Sequence, residues 1–283
     1  WQEAIQTRIF TPLGMKNTRP TFSMIPPSNH NVARAHVPLE GRLNVVGGNF
    51  LEKFTSAGAV ASSVNDMSLW LKAQLNRGVY NKSGQQAMLF SAKQSRAMWQ
   101  ARTLLPVSEA ATKQDKTHFS AYGLGWFLKD YHGVKLIHHS GGILGMVSKV
   151  VLVPEENLAM VVLTNQQSGY AFNAIYQQIL NEYLELPDKN WVDYYHEKQK
   201  SRQAKEQKRL AKAAGSVDKN SRHSLLLKAY AQTYKDNWYG DIDITYKNNQ
   251  LHMQFGNTPE LKGSLEHYQH NTFIVRWLDR TLE

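Results

Sequence analysis

Residues 135–146 read KLIHHSGGILGM, and the fold turns on how this stretch is read. An apolar lead-in gives way, without a spacer, to two histidines, a serine and a glycine pair. In a strand, alternation places Lys135, Ile137 and His139 on one face and Val134, Leu136 and His138 on the other, so the two histidines cannot share one task. Gly141 and Gly142 leave the strand bare, so that a substrate carbonyl could approach backbone N–H groups closely. Such donors are what an oxyanion requires. An ordinary turn after a strand accounts for the same letters.

Working outward, the neighbouring segments are β-rich. AYGLGWFLKD (121–130) precedes the central stretch, and MVSKVVLVP (146–154) and LAMVVLTN (158–165) flank the turn-forming PEEN. Helices bracket this block. In SSVNDMSLWLKAQLNRG (62–78), Ser63 and Asp66 have capping-box spacing, Val64, Met67, Leu71 and Leu75 form an apolar stripe, and Gly78 follows the end. A shorter helix is expected over 91–101. Another is expected over about 169–185, with Phe172, Ile175, Ile179 and Tyr183 facing inward. At the start of the chain Trp1, Ile5 and Ile9 share a helical face, which Pro12 and Gly14 bring to an end. Residues 20–55, rich in Pro, Asn and Gly, read as long loops. The resulting fold class is α+β: an antiparallel sheet flanked by helices.

Beyond Pro187 the character changes. Residues 188–222 are charged and poor in β-branched residues, as in a helical linker. From Tyr230 onward apolar and polar residues alternate, with KNNQ (247–250) as a hairpin turn. The expected organisation is a first domain over 1–186, a basic helical linker over 187–225 and a small β-rich domain over 226–283, read as truncated. A helix opening at Trp1 is expected to have been cut from something longer.

Composition narrows the functional classes. The 283 residues contain no cysteine, which excludes disulfides, cysteine nucleophiles and thiolate metal sites. No apolar run is long enough for a membrane span. The formal charge of +10 would suit an acidic partner, but seven of the basic residues crowd between Lys198 and Lys212 without an interleaved aromatic, so a solvated connector is expected rather than a nucleic-acid surface. No His-Glu-x-x-His, no ligand-spaced His/carboxylate cluster and no phosphate-cradling loop occurs, so neither metal nor cofactor is expected.

Four blocks in order, IFTPLGMKNT, SAGAVASSVNDMSLWL, YGLGWF and HHSGGILGMVSKVVLVPEENLAMVVLTNQ, closely resemble the serine β-lactamase-like family: class C β-lactamases, related esterases, and D-aminopeptidase and penicillin-binding-protein relatives. The resemblance spans residues 1 to about 185, and the last segment resembles a small β domain that some members append. It implies a β-lactamase/transpeptidase-like fold with its N-terminal half missing. It also implies acyl transfer on three motifs: a Ser-x-x-Lys nucleophile, a Tyr-x-Asn proton handler and a Lys/His-x-Gly strand. His139-Ser140-Gly141 resembles the third, and by that analogy the N–H of Gly142 is one oxyanion donor.

The first two motifs have no counterpart in the expected place. SVDK (216–219) matches Ser-x-x-Lys by letters only and lies in the polar linker; SVN (63–65) is a helix cap and YKN (246–248) the start of a turn. The resemblance therefore implies a portion of a serine hydrolase, inactive alone, acting on an ester, β-lactam or D-amino-acid peptide. The alternatives are a non-catalytic peptide- or peptidoglycan-binding relative and, more distantly, a basic adaptor. Where a typical β-lactamase has lysine, His139 offers an imidazole, a residue type with an ordinary pKa of about 6.5, so carboxylate anchoring is expected to be weaker. His138 is expected to be a hydrogen-bonded, partly buried residue; Asn165 to pin a strand end or serve as a turn former; Tyr122, Trp126 and Trp70 to pack in the core. By the same resemblance the protein is expected to be exported or periplasmic.

Overall fold

A computed structural model describes residues 1–47 and 55–282; the part of the expected 20–55 loop that covers 48–54 lies outside the described residues. The chain forms two units, one of Trp1–Val37 and Val45–His196, the other of Pro38–Asn44 and Glu197–Glu283.

The first unit opens with α1 (Gln2–Ile5), a π turn (Gln6–Phe10) and α2 (Thr11–Leu13). Pro12 does not end this helix; it lies inside α2. The stop belongs to Gly14, whose φ of 73° only a residue without Cβ adopts easily. The loop reading of 20–55 also needs correction. A hairpin, β1 (Ala35–Leu39) and β2 (Arg42–Val46), occupies part of it, turned by Glu40 and Gly41 with φ of 51° and 75°. Two successive positive φ values match the right-handed twist of paired strands, whatever the residue types.

After α3 (Thr55–Gly58) comes α4 (Val64–Leu75). Ser63 caps it by accepting the Asp66 N–H, but the box is one-sided. The Asp66 carboxylate turns away to accept the Asn17 N–H at 2.8 Å and the Thr18 hydroxyl at 2.7 Å. Val64, assigned to the buried stripe, is exposed; Leu71 and Ala73 are buried. A small hairpin, β3 (Val79–Lys82) and β4 (Gln85–Met88), leads to α5 (Ala92–Met98), where Ser91 and Gln94 complete a reciprocal capping box. Then follow β5 (Thr103–Leu104), α6 (Glu109–Asp115), β6 (Ser120–Tyr122), β7 (Phe127–Tyr131), β8 (Val134–Ile143), β9 (Met146–Val153), β10 (Leu158–Thr164) and α7 (Gly169–Tyr183).

The six strands β5–β10 form one antiparallel sheet in chain order. Both faces are covered. Leu136, Val151 and Val153 pack with Tyr176 and Leu180 of α7, while Leu128, Ile137 and Leu152 pack with Leu71 of α4 and with Trp99 and Trp126. Adjacent Leu136 and Ile137 are therefore both fully buried, which is why this strand carries an unbroken apolar pair ahead of its histidines. Each such side chain contributes about 1.5–3 kcal/mol on leaving water. The inward face of α7 differs from the expected one: Ile175 and Tyr183 are exposed, and Phe172, Tyr176, Gln177, Leu180 and Asn181 are buried. Two amides on that face are tied to their surroundings, although Asn181 Oδ1 finds no partner among the described residues. The Tyr195 hydroxyl donates to Gln177 Oε1 at 2.6 Å, and Asn181 Nδ2 donates to the Pro187 carbonyl at 2.9 Å.

A long helix, α8 (Trp191–Gly215), begins with Trp191 and Tyr195 buried beside Ala174 and continues as an exposed basic stretch into the second unit. That unit is a five-stranded antiparallel meander: β11 (Thr233–Asp236), β12 (Gly240–Lys247), β13 (Gln250–Phe255), β14 (Lys262–Gln269) and β15 (Thr272–Trp277). Leu251 and Leu265 pair across its centre. Asn248 and Asn249, with φ of 50° and 60°, make the tight turn between β12 and β13.

Candidate active site

The site lies at the far end of β8. The register sets β7 opposite β8 only as far as the Phe127–His138 pair, whereas β9 runs on to pair with Gly141, Gly142 and Ile143. Among the described residues no strand is paired to the other edge of 139–143. Backbone groups on that edge thus have no ladder partner among the described residues.

The open end faces a cavity of about 610 Å³ in the first unit, lined by Gly141 and Gly142 together with residues of the 57–65 and 163–165 segments. Gly141 is held against its neighbour, since a Cβ there would stand 2.6 Å from Ser148 Oγ. At Gly142 the nearest atom to an added Cβ would be Val147 Cγ1 at 3.9 Å, an ordinary contact. An added Cβ would have to turn the Ser148 hydroxyl aside at the first glycine and would fit without displacement at the second. The charged side chain in this lining is Arg19, whose Nη1 donates to the carbonyls of Lys16 and Thr18, each at 2.8 Å. Nothing in the local sequence around Arg19 marks it out.

Of the four candidate residues, Gly141 and Gly142 line the cavity, whereas His139 and Ser140 do not. Ser140 is exposed. His139 stands at the edge of an aromatic cluster: its Nδ1 is 2.7 Å from the Ser140 carbonyl, its Nε2 is 3.2 Å from the Tyr122 hydroxyl, and its ring centroid is 5.3 Å from that of Phe127. Sequence reasoning assigned Tyr122 to the core. Trp126 and Trp70 do pack there, stacked at 5.4 Å, but Tyr122 is only part-buried and its hydroxyl is engaged with His139. No local signal distinguishes the three aromatics, because the contact crosses two strands.

His138 points into the opposite layer. Its Nδ1 is 3.1 Å from Nζ of Lys149, a buried residue on β9 whose ammonium lies 5.2 Å from the Tyr176 ring. Burial first, and then the nearby charge of Lys149, holds the His138 imidazole well below its ordinary range. Beside this pair, Lys129 and Asp115 form a part-buried ion pair at 2.7 Å. Asn165 ties the end of β10 to the chain near β1, donating from Nδ2 to the Arg34 carbonyl at 3.0 Å, and it lines the cavity as well.

The letter matches to catalytic motifs have structural roles. Ser216 Oγ donates to the Ala213 carbonyl at the end of α8, and the Tyr246 hydroxyl donates to Asn249 across the hairpin turn. Among the described residues no group of three or more histidines and carboxylates could hold a metal, and no helix is long and apolar enough to cross a membrane.

Layered helices on an antiparallel sheet, with a bare strand end opening into a cavity, define a β-lactamase/transpeptidase-like fold. Residues 1–181 match the Beta-lactamase family, and the chain belongs to that family. Residues 216–283 match a domain of unknown function, DUF3471. The chain is similar to an unguisins hydrolase of Aspergillus campestris (strain IBT 28561), 28% identical over 213 residues that make up 69% of this chain and 35% of that protein. It is also similar to Gigasin-6 of Magallana gigas, 35% identical over 80 residues, covering 27% of this chain and 26% of that one. The octameric penicillin-binding protein homologue from Pyrococcus abyssi shares the fold, with a TM-score of 0.56 at 18% identity over 99% of this chain and 54% of that chain. The chain thus spans only about a quarter to a third of the length of these two relatives.

Proposed function

We propose that these residues supply the His139-Ser140-Gly141 strand and one oxyanion donor, the Gly142 N–H, to a serine hydrolase that works through an acyl-enzyme. The attacking serine and its lysine come from outside the 283 residues, and the substrate is an ester, β-lactam or D-amino-acid peptide. One observation carries the reading: Gly141 and Gly142 sit where β8 is paired on one edge only, in the wall of a cavity large enough for a small acyl substrate. Family membership and the hydrolase relative support it. In the reaction, the tetrahedral oxyanion would accept the Gly142 N–H, a contact stronger in the transition state than in the ground state. The family resemblance supports an exported protein.

The test is covalent trapping. A fluorophosphonate or fluorescent penicillin incubated with the full-length protein should label one serine of a Ser-x-x-Lys motif outside these residues. Absence of any labelled serine, with the probe still bound reversibly, would instead make the protein a binding relative.

A further inference from the structure

The His139 ring is engaged at both nitrogens. Nδ1 lies 2.7 Å from the Ser140 carbonyl oxygen, which can only accept, so Nδ1 carries a hydrogen. In the neutral ring Nε2 is then a lone pair, and the Tyr122 hydroxyl 3.2 Å away is its donor. If the ring takes a proton, the Nε2–H donates to the same phenol oxygen, whose hydrogen swings aside. In neither state is a ring nitrogen left open toward a ligand.

The surroundings hold this arrangement. Tyr122, Phe127 and His138 form one row across β6, β7 and β8, and His139 is the next residue along. The Phe127 ring lies edge-on to Tyr122 at 4.7 Å, stacks on His138 at 5.5 Å and is tilted against His139 at 5.3 Å. Rotation of the His139 ring would break two hydrogen bonds and its contact with Phe127 together.

We propose that Tyr122 is a positioning residue for His139: with the Ser140 carbonyl holding Nδ1–H, its hydroxyl occupies Nε2 and withdraws the ring from anion recognition, so that the site favours acyl substrates without a carboxylate directed at this strand. The inference rests on reading His139-Ser140-Gly141 as the third acyl-transfer motif. A lysine at position 139 would present three rotatable N–H donors; a histidine clamped in this way presents none.

Two measurements on the full-length protein test it. In long-range 1H–15N spectra of histidine-labelled protein, with the resonance assigned through its loss in His139→Gln, the wild type should show a single Nδ1–H tautomer. Tyr122→Phe, which keeps the ring packed on Phe127, should retain Nδ1–H, still held by the Ser140 carbonyl, but shift the Nε2 resonance downfield as that lone pair loses its donor. Wild type with the opposite tautomer, or Tyr122→Phe with no change, overturns the proposal. In kinetics, kcat/KM for a neutral ester relative to the same ester bearing a free carboxylate should fall at least threefold in Tyr122→Phe, with the neutral ester itself changing less than threefold; an unchanged ratio also overturns it. If both resonances behave as expected but neither ester is hydrolysed, the clamp is supported and the acyl-transfer reading alone falls.

Discussion

Lys149 offers a sharp test of the buried layer beneath the site. Its side chain is 8% exposed, and it touches a histidine and a tyrosine face rather than a carboxylate. Burial, reinforced by the charge of Lys129, lowers its amine from an ordinary 10.5 to about 8. The unfolded chain thus binds a proton between these two values that the folded chain has released. Stability contributed by this group is lowest where the amine is charged in both states, and it rises as pH climbs through the folded pKa toward the unfolded one. Carrying the buried charge at pH 7 costs about 3 kcal/mol, of which about 1 kcal/mol returns by pH 9. Lys149→Met keeps an unbranched stem of similar length without the charge. It leaves His138 Nδ1 without its partner, at about 1–3 kcal/mol. The variant should therefore equal the wild type at pH 7 or exceed it by about 2 kcal/mol. Urea unfolding at pH 7, 8 and 9 provides the assay. The wild type should gain about 1 kcal/mol across that range relative to the variant. A difference that stays constant with pH, or a variant less stable by more than about 3 kcal/mol at pH 7, would mean that the amine is hydrated or paired and that the reasoning fails.

Three further outcomes follow from the geometry. Gly142→Ala, whose Cβ meets nothing nearer than 3.9 Å, should leave the rate of serine labelling in the full-length protein within threefold, whereas Gly142→Pro, lacking the N–H, should slow it about 10²–10³-fold with little change in Tm. Leu180→Ala removes a fully buried side chain between α7 and the sheet and should destabilise by about 2.7–5 kcal/mol in chemical unfolding. Gly145, at φ 77°, would with a Cβ stand 2.7 Å from both the Ala35 Cβ and the His36 amide, so Gly145→Ala should lower Tm by several degrees, about 1–3 kcal/mol.

Local pattern suffices for part of the fold. The strand from Val134, the turn at Pro154–Asn157, the Ser63 cap and the Asn248–Asn249 hairpin are all legible, because each depends on residues within a few positions of one another. The layered α+β class follows from the same marks. The β1–β2 hairpin escaped because Pro38 and a Glu-Gly turn do not advertise a strand pair, although its backbone twist matches that of the commonest hairpins.

At the site the boundary is equally plain. The bare Gly141–Gly142 pair and the opposition of the two histidines are properties of one strand, and alternation alone reveals them. That β7 ends opposite His138 while β9 continues, that Tyr122 reaches His139, and that the buried face of α7 carries Gln177 and Asn181 in place of Ile175 and Tyr183 were decided only in three dimensions. The physical reason is common to all three. Hydropathy along a chain shows which side chains leave water most favourably, but register and cross-strand partners determine which polar groups can be buried satisfied, and that choice is made by residues far away in sequence.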